Sequence, residues 1–305
     1  MVKLRESTPL PAAVGVIGLG VMGAPMVRNL LAAASGTATR VLVGHRSAER
    51  AAPLTDAGAE FAETPRALAE ACDVIVLMLP DLPEVEQVLE GEDGIVAGVS
   101  APTVLVIGST SSAEGVRELD ARLAAATSGL LRVIDAPVSG GEDGAVAGTL
   151  SIMVGGDDTQ VDAAWSTLSA FGNPVHLGPL GAGQVAKACN QLVVSATIMA
   201  LGEAAVIADR SGIDVATLFE LFRGGYAGSR ILETRGAKVA GREYSPSGVA
   251  KYMVKDLGFA RSAAETTGTR AELLSTLERS FVELVEAGFG DEDIAVARAF
   301  VESRE

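Results

Sequence analysis

The first half of the chain alternates short runs of β-branched and other apolar residues with longer amphipathic stretches. This alternation is typical of βαβ units built around a parallel sheet. Residues 73–80 are apolar on both faces, as expected for a central strand. The pattern predicts strands at 13–20, 40–45, 58–62, 73–80, 103–108, 132–138, 148–156 and 173–178. It predicts helices at 22–34, after Thr64 with Pro65 in the first position, at 117–127 and around Trp165.

From Gly183 onwards the hydrophobic positions follow helical periodicity only, interrupted by glycines at 224–225, 241 and 268. We therefore predict an α/β fold: an N-terminal Rossmann doubly wound sheet plus an all-helical C-terminal domain, joined by a long inter-domain helix. The predicted ranges are 1–12 for an N-terminal tail, 13–178 for the Rossmann domain and 179–305 for the helical domain. Five large side chains of this second half are predicted to pack in helix cores: Phe219, Phe222, Tyr252, Met253 and Phe259.

Composition narrows the range of partners. The formal net charge of −15 over 305 residues disfavours nucleic acid, which is bound through clustered lysine and arginine. The uncharged run 188–202 is shorter than the roughly 20 residues of a membrane-spanning helix and contains amides and hydroxyls, so a buried helix and no membrane partner are predicted. Residues 1–13 lack the apolar core of a signal peptide, which predicts a cytoplasmic protein. With two cysteines and two histidines, we expect no disulfide framework and no metal.

A glycine motif follows the first predicted strand. Gly18, Gly20 and Gly23 have GxGxxG spacing between a strand and a helix. In that context the first glycine makes a tight turn, the second lets a pyrophosphate approach the backbone, and the third lets the helix pack closely. The segment, with Val21 and Met22, is therefore predicted to bind a dinucleotide. The alternative is a glycine-rich turn without a ligand.

The end of the second strand bears on which dinucleotide is bound. An acidic residue there would bond the ribose 2′-hydroxyl of NAD, whereas arginine suits the 2′-phosphate of NADP. The chain has His45, Arg46 and Ser47 at this point and no carboxylate. NADP (NADPH) is therefore predicted, with NAD possible. As an alternative, Arg46 is a solvated surface cation.

Two further segments carry polar chemistry. Ser139, Gly140 and Gly141 follow a predicted strand and offer a hydroxyl and unobstructed amides, which suit a small carboxylate; a plain β-turn is the alternative. Lys187 begins the uncharged run, and on a helix Asn190 and Gln191 lie on its face. This polar patch predicts a proton-exchanging lysine, whereas a lone interfacial lysine would be the alternative.

With GVIGLGVMG, MLP (78–80), DAPVSGG, GAGQVAKACNQ and KDLGFA (255–260) in this order, the chain resembles the β-hydroxyacid dehydrogenases, from Val14 to about Ala297. That family has a Rossmann domain and a helical domain, and it interconverts small hydroxyacids and semialdehydes with NAD(P). The segment GGYAGSRIL (224–232) looks most like tartronate semialdehyde reductases, also called 2-hydroxy-3-oxopropionate reductases. The resemblance implies a homodimer or homotetramer, with residues 13–178 binding NADP and 179–305 serving substrate binding and dimerisation.

The resemblance also implies roles for individual residues. Lys187 corresponds to the family's catalytic lysine. The implied substrate contacts are Ser139, Gly140, Gly141, Asn190 and Ser229. Together with the glycine motif, the predicted cofactor contacts are Gly18, Gly20, Val21, Met22, Gly23, His45, Arg46, Ser47, Met78, Leu79, Pro80, Thr110 and Lys255. The chain departs from the family in IGSTSSA, around Ser109 and Thr110, and in having Asn190-Gln191 where an Asn-Asn pair is usual.

These observations favour an NADPH-dependent reductase that converts a small semialdehyde acid, tartronate semialdehyde, to glycerate, with Lys187 as general acid/base. A 3-hydroxyisobutyrate, L-serine or 4-hydroxybutyrate dehydrogenase is the nearest alternative. An imine reductase shares the domain plan, but a carboxylate-binding turn and a lysine fit a carbonyl substrate better. A non-catalytic dinucleotide-binding module is the alternative of another class.

Overall fold

The computed structural model describes residues 9–304, so residues 1–8 of the predicted N-terminal tail lie outside the described residues. The chain divides into two compact units between Lys187 and Ala188. The strands are β1 Ala13–Ile17, β2 Arg40–Gly44, β3 Glu60–Ala62, β4 Val74–Leu77, β5 Thr103–Ile107, β6 Leu131–Asp135, β7 Val138–Ser139, β8 Leu150–Gly155 and β9 Gly172–Gly178. The helices of the first unit are α1 Gly23–Ala34, α2 Ala48–Thr55, α3 Pro65–Ala71, α4 Leu82–Leu89, α5 Ile95–Gly98, α6 Ala113–Ala126, α7 Gly141–Ala147 and α8 Asp158–Phe171.

The strands of the first unit form one sheet in the order β3-β2-β1-β4-β5-β6-β8-β7, with β9 beside β8. From β3 to β6 all neighbours are parallel, and this 3-2-1-4-5-6 order is that of a Rossmann fold. Strand β8 runs antiparallel to β6 and β7 and parallel to β9. The predicted Rossmann sheet is confirmed, with antiparallel pairing added at its far end.

Side-chain alternation along the central strands builds a separate core on each face of the sheet. Val14 and Val16 of β1 belong to the core under α1 and α8, whereas Ala13 and Ile17 belong to the core on the opposite face, where α3 and α6 pack. The same alternation repeats in β2, β4 and β5. Because successive residues of a strand point to opposite faces, an apolar run of four or five residues fills both cores.

Most predicted elements are confirmed, and the differences have local causes. Thr64 caps α3 as predicted, accepting a hydrogen bond from the backbone N–H of Ala67 at 3.0 Å. Helices α2, α4, α5 and α7 were not predicted from the sequence. These helices have 4–8 residues each, so they lack the turns needed to show a helical period.

The regular elements in the described part of the second unit are helical, as predicted, apart from an isolated β-bridge between Val249 and Asp293. Helix α9, Ala182–Arg210, begins in the first unit and continues into the second. The remaining helices are α10 Val215–Arg223, α11 Arg230–Gly241, α12 Tyr252–Thr267, α13 Leu274–Leu284 and α14 Ala297–Glu302, with a π-helical segment Val285–Phe289 and a 3-10 turn Ile294–Val296. Helix α9 is long and apolar enough to cross a membrane by length and composition alone, and half of its most apolar 18-residue window is buried within the protein.

The core of the second unit is built from one face of each helix. Phe219 and Met253 are buried in this core, and Phe222 and Phe259 pack against it, as predicted. The prediction for Tyr252 was wrong, because this side chain is 53% exposed at the first position of α12. At a helix end the next turn is missing, so helical periodicity is a weaker guide to burial there.

Candidate active site

The parallel strands end together along one edge of the sheet. Register pairs Ile17 with Gly44 and with Leu77, pairs Leu77 with Ile107, and pairs Ile107 with Asp135. The last residues of five strands therefore form one continuous row across the sheet. The next residue of each chain segment lies just beyond this row, at the carboxyl edge where open α/β sheets bind their ligands.

The glycine motif meets the requirements of a dinucleotide turn. Gly18 has φ of +100°, and a Cβ atom there would lie 2.2 Å from the carbonyl oxygen of Met78. A Cβ atom at Gly23 would lie 1.8 Å from the carbonyl oxygen of Gly18. At Gly20, by contrast, no heavy atom of the described residues lies within 4 Å of such a Cβ. Packing thus requires glycine at positions 18 and 23, whereas Gly20 leaves the space that a pyrophosphate would fill.

The residues after β2 border the same edge. His45 is half-buried, and its Nδ1 lies 2.9 Å from the backbone nitrogen of Ser47, from which it accepts a hydrogen bond. Ser47 is the N-cap residue of α2 with no side-chain capping bond, and Arg46 is exposed. The hydroxyl and the guanidinium that sequence analysis selected therefore lie at the start of a helix, next to the carboxyl edge of the sheet.

The MLP segment continues β4 past the edge row. The backbone N–H of Met78 donates to the carbonyl of Ile17 at 2.8 Å, so Met78 borders the glycine turn. Leu79 is half-buried and Pro80 is exposed. On the next strand, Ser109 is buried and Thr110 is half-buried just beyond Ile107. The structure thus brings these segments and the glycine motif to one edge of the first unit.

The 139–141 turn has the backbone that glycine permits. Gly140 and Gly141 have φ of +136° and +62°, values that side-chain-bearing residues rarely adopt, and both glycines are exposed. Ser139 is half-buried at the end of β7. A Cβ atom at Gly141 would meet no heavy atom of the described chain within 4 Å, so the approach to this turn is open.

A buried carboxylate holds the start of α9. Asp135, the last residue of β6, is fully buried, and its oxygens accept hydrogen bonds from the backbone N–H groups of Gly181 and Gln184, both at 2.7 Å. Burial raises the pKa of the Asp135 carboxyl, and the two backbone donors oppose that rise. The first turn of α9 therefore satisfies two of its unpaired N–H groups with an anion at the carboxyl edge.

Gln184 makes a second connection between α9 and the sheet edge. Its side chain is 2% exposed; its Oε1 accepts from the backbone N–H of Ser111 at 2.9 Å, and its Nε2 donates to the carbonyl oxygen of Ser109 at 2.8 Å. The Oγ atoms of Ser109 and Ser111 are themselves buried without a hydrogen-bond partner among the described residues. Gln184 thus binds the two peptide groups that flank Thr110.

Lys187 follows Gln184 by one helical turn and is 8% exposed. The buried polar residues of α9 are Gln184, Lys187, Gln191 and Ser195, with Gln184 and Ser195 the least exposed of the four at 2% and 0%. Their spacing of three or four residues puts them on one face of the helix. Lys187 is therefore part of a buried polar stripe and does not extend into bulk solvent.

Three polar residues of the second unit, Asn190, Gln191 and Asp256, are joined by a series of hydrogen bonds. Asn190 donates from Nδ2 to Oε1 of Gln191 at 2.9 Å, and Gln191 donates from Nε2 to a carboxylate oxygen of Asp256 at 2.6 Å. Gln191 and Ser195 also donate to the sulfur of Met253, at 3.7 and 3.4 Å. Gln191, whose role sequence analysis left open, thus connects Asn190 to the KDLGFA segment.

Two other predicted residues have roles that are visible within the second unit. Ser229 is the N-cap residue of α11, where its Oγ accepts from the backbone N–H of Leu232 at 3.1 Å. Lys255 is half-buried on α12, and its Nζ lies 5.6 Å from the centre of the Phe259 ring. Ser229 therefore orders a helix start, whether or not it also contacts a substrate.

Asp135 and Gln184 were not predicted as site residues, although they lie in the DAPVSGG and GAGQVAKACNQ motifs. A charged residue at the end of an apolar strand was the available signal for Asp135, since a buried carboxylate requires donors. Gln184 gave no comparable signal, because its partners are peptide groups 73 and 75 positions away along the chain. Residues 9–304 contain no group of three or more His, Cys, Asp or Glu that could hold a metal ion.

Two family models cover most of the chain. Residues 13–181 match the NAD binding domain of 6-phosphogluconate dehydrogenase, and residues 181–300 match the NAD-binding domain of NADP-dependent 3-hydroxyisobutyrate dehydrogenase. The 2-hydroxy-3-oxopropionate reductase of Escherichia coli is 37% identical over 88% of this chain and 89% of its own. The NAD-dependent L-serine dehydrogenase of Pseudomonas aeruginosa is 35% identical over 93% of this chain and 96% of its own.

A solved structure has a similar fold over most of the chain. The structure of Psf3 in complex with NADP⁺ and 2-OPP superimposes with a TM-score of 0.83 at 25% identity, covering 94% of this chain and 99% of that one. The glycine turn, with space above Gly20, fits a nicotinamide dinucleotide independently of these likenesses. The chain belongs to the β-hydroxyacid dehydrogenase family and is an NAD(P)-dependent oxidoreductase acting on CH–OH groups.

Proposed function

We propose that the protein is an NADPH-dependent reductase of a small carboxylate-bearing semialdehyde, with tartronate semialdehyde reduced to glycerate as the preferred reaction. The observation that carries the proposal is Lys187, 8% exposed and one turn after residues that are bound to the carboxyl edge of the sheet. Likeness to the E. coli 2-hydroxy-3-oxopropionate reductase supports the substrate class. We retain residues 13–178 as the NADP-binding domain and 179–305 as the substrate and dimerisation domain.

In this proposal the cofactor is held by the glycine turn and by the segments 45–47 and 78–80, with Thr110 and Lys255 as further contacts. When bound, NADPH supplies a hydride for the substrate's aldehyde carbon. The turn of Ser139, Gly140 and Gly141 binds the substrate carboxylate through its hydroxyl and amides. Asn190 and Ser229 contribute further substrate contacts.

Protonated Lys187 acts on the aldehyde oxygen. As negative charge develops on that oxygen, the ammonium group stabilises it and then donates a proton, which leaves an alcohol and a neutral amine. In the oxidative direction neutral Lys187 accepts the hydroxyl proton.

Lys187→Ala tests the catalytic role. We expect kcat to fall by roughly two to four orders of magnitude, the range for loss of a positioned acid/base, with the Kd for NADPH nearly unchanged. Activity is followed at 340 nm and cofactor binding by nucleotide fluorescence. Lys251→Ala, at a half-exposed lysine paired with Asp291, is the matched control and should retain full activity. A Lys187→Ala enzyme with most of its activity would refute the assignment.

NADP preference is proposed from Arg46 and Ser47 and from the absence of an acidic residue at the end of β2. Arg46→Ala is expected to raise the KM for NADPH roughly tenfold or more and to leave the KM for NADH within about twofold, because only NADPH has the 2′-phosphate. Arg50→Ala, at an exposed arginine on the adjoining helix α2, is the control. Equal weakening of both cofactors would exclude recognition of the 2′-phosphate by Arg46.

Dehydrogenation of a hydroxyacid is the second candidate. Likenesses to an NAD-dependent L-serine dehydrogenase and to an NADP-dependent 3-hydroxyisobutyrate dehydrogenase model favour it. A screen of tartronate semialdehyde, 3-hydroxyisobutyrate, L-serine and 4-hydroxybutyrate with both cofactors compares the candidates by kcat/KM. A homodimer or homotetramer and a cytoplasmic location complete the proposal, and sedimentation and fractionation test them.

A further inference from the structure

The side-chain amide of Gln184 binds two peptide groups of the first unit, one through its oxygen and one through its nitrogen. The Oε1 accepts from Ser111 N–H at 2.9 Å and the Nε2 donates to Ser109 C=O at 2.8 Å. Both peptide groups lie past Ile107, the last residue of β5, and so outside the hydrogen-bond ladder of the sheet. In a 2% exposed location such groups must be paired, and Gln184 pairs them from the first turn of α9.

The backbone of the same residue is bound as well. Gln184 N–H donates to Asp135 at 2.7 Å, and Gly181 N–H donates to the other oxygen of that carboxylate at 2.7 Å. A Cβ atom at Gly183 would lie 2.1 Å from the carbonyl of Met153 and 2.8 Å from Asp135. The start of α9 is therefore bound through the N–H of Gly181, the N–H of Gln184 and the side chain of Gln184. It is also packed closely against the sheet at Gly183.

We propose that Gln184 is a positioning residue for Lys187. The two residues are three apart on one helix, so fixing the side chain of Gln184 fixes the rotation of the turn that carries the lysine. A helical side chain reaches roughly 5–6 Å from the axis, and a rotation of about 20° would move its end by about 2 Å. A displacement of about 1 Å at a catalytic group can cost roughly a hundredfold in rate.

This inference depends on the proposed catalytic role of Lys187. A double-mutant cycle tests the positioning role of Gln184 separately from the catalytic role of Lys187. Gln184→Met keeps the length of the side chain but removes both hydrogen bonds. Gln184→Glu keeps the acceptor for Ser111 N–H but places a carboxylate oxygen against Ser109 C=O. Each substitution is made in the wild-type and Lys187→Ala backgrounds, with Gln87→Met, at an exposed glutamine on α4, as the matched control.

In the wild-type background we expect Gln184→Met to lower kcat by about 10- to 100-fold with the KM for NADPH within about twofold. In the Lys187→Ala background the same substitution should lower the residual kcat by less than about threefold, because no lysine remains to be positioned. The primary isotope effect with 4-deuterated NADPH should rise in Gln184→Met, since a misdirected lysine slows the chemical step. Gln87→Met should change none of these values.

Three outcomes would overturn the inference. An equal loss of kcat in both backgrounds would mean that Gln184 acts on the 109–111 segment and not on Lys187. A Gln184→Met enzyme with unchanged kcat would mean that the hydrogen bonds have no bearing on the lysine. If Gln184→Met fails to fold, Gln184→Glu is measured in its place, and a large rise in its KM for NADPH with unchanged kcat would exclude positioning of Lys187. If Lys187→Ala retains its activity, the proposed function fails independently of any result at Gln184.

Discussion

A carboxylate lies at each end of helix α9, and the two are held in opposite ways. Asp135, at the beginning of the helix in the first unit, is fully buried and is held by backbone N–H groups. Asp209, near the other end in the second unit, is 47% exposed and is held by Arg242 at 2.6 Å and Arg298 at 2.9 Å. Burial raises the pKa of Asp135, whereas the hydrogen bond from Arg242 lowers the pKa of Asp209.

The difference lies in the kind of donor that each of these two carboxylates meets. At the start of α9 the donors are backbone N–H groups without partners in the helix, and they bind the buried Asp135 carboxyl directly. At the other end of α9 the donors to Asp209 are arginine side chains. Arg298, 1% exposed, accordingly binds Asp209, Glu302 and the carbonyls of Val239 and Ala240. One arrangement orients a candidate catalytic residue, and the other joins helices.

Removing the two carboxylates should have very different effects. Asp135→Ala leaves the N–H groups of Gly181 and Gln184 buried and unpaired, which we expect to cost roughly 2–4 kcal/mol in the free energy of unfolding and at least about a hundredfold in kcat. Asp209→Ala should leave kcat within about twofold, because its partners are exposed or retain other acceptors. Urea unfolding and steady-state assays measure both.

Asp135→Asn preserves one acceptor oxygen, and it replaces Asp135→Ala in these measurements if the alanine variant does not fold. Equal kcat values for the Asp135 and Asp209 variants would contradict the distinction between the two ends of α9.

Arg298→Met should lower the free energy of unfolding and leave kcat nearly unchanged. The substitution removes donors from the carbonyls of Val239 and Ala240, and we expect a loss of roughly 2–3 kcal/mol in the free energy of unfolding. Because these partners all lie in α9, α11 and α14 of the second unit, kcat per folded enzyme should change by less than about threefold. A large fall in kcat with unchanged stability would assign Arg298 to the active site.

The opposite pKa shifts of Asp135 and Asp209 predict that their contributions to the free energy of unfolding change with pH in opposite directions. We expect this effect to be smaller than those of Asp135→Ala and Arg298→Met. A carboxyl with a raised folded pKa contributes stability below its unfolded pKa and loses it as pH rises through the folded value. A carboxyl with a lowered pKa contributes above its unfolded pKa and loses stability as pH falls through the folded value. The stability of wild type relative to Asp135→Asn should therefore decline as pH rises from the ordinary aspartate pKa of 3.8.

Relative to Asp209→Asn, the stability of wild type should instead decline as pH falls below 3.8. Urea titrations of the three proteins between pH 3 and pH 7 compare the slopes. Slopes of the same sign would show that the two carboxylates are held in similar environments.

Much of the fold was predictable because each element carries its own signal. The apolar run that follows Asp73 predicted a central strand, and β4 is the strand between β1 and β5. The glycines at 18 and 23 were predictable as well, since only glycine tolerates the contacts that they make. The short helices α5 and α7 and the antiparallel pairing of β8 were not predictable, because they depend on tertiary packing and not on a local period.

For the candidate site, the sequence by itself determined the chemical groups: a glycine turn, a strand end without an acid, a small-residue turn and a lysine in an uncharged run. Only the tertiary structure decided which buried polar groups pair with one another around these segments. Register aligned Ile107 with Asp135 at the sheet edge, and that alignment brought the carboxylate to Gly181 and Gln184, 46 and 49 positions further along the chain. Local sequence specifies the conformation of a segment, whereas the partners of its buried polar groups depend on which distant segments the sheet brings together.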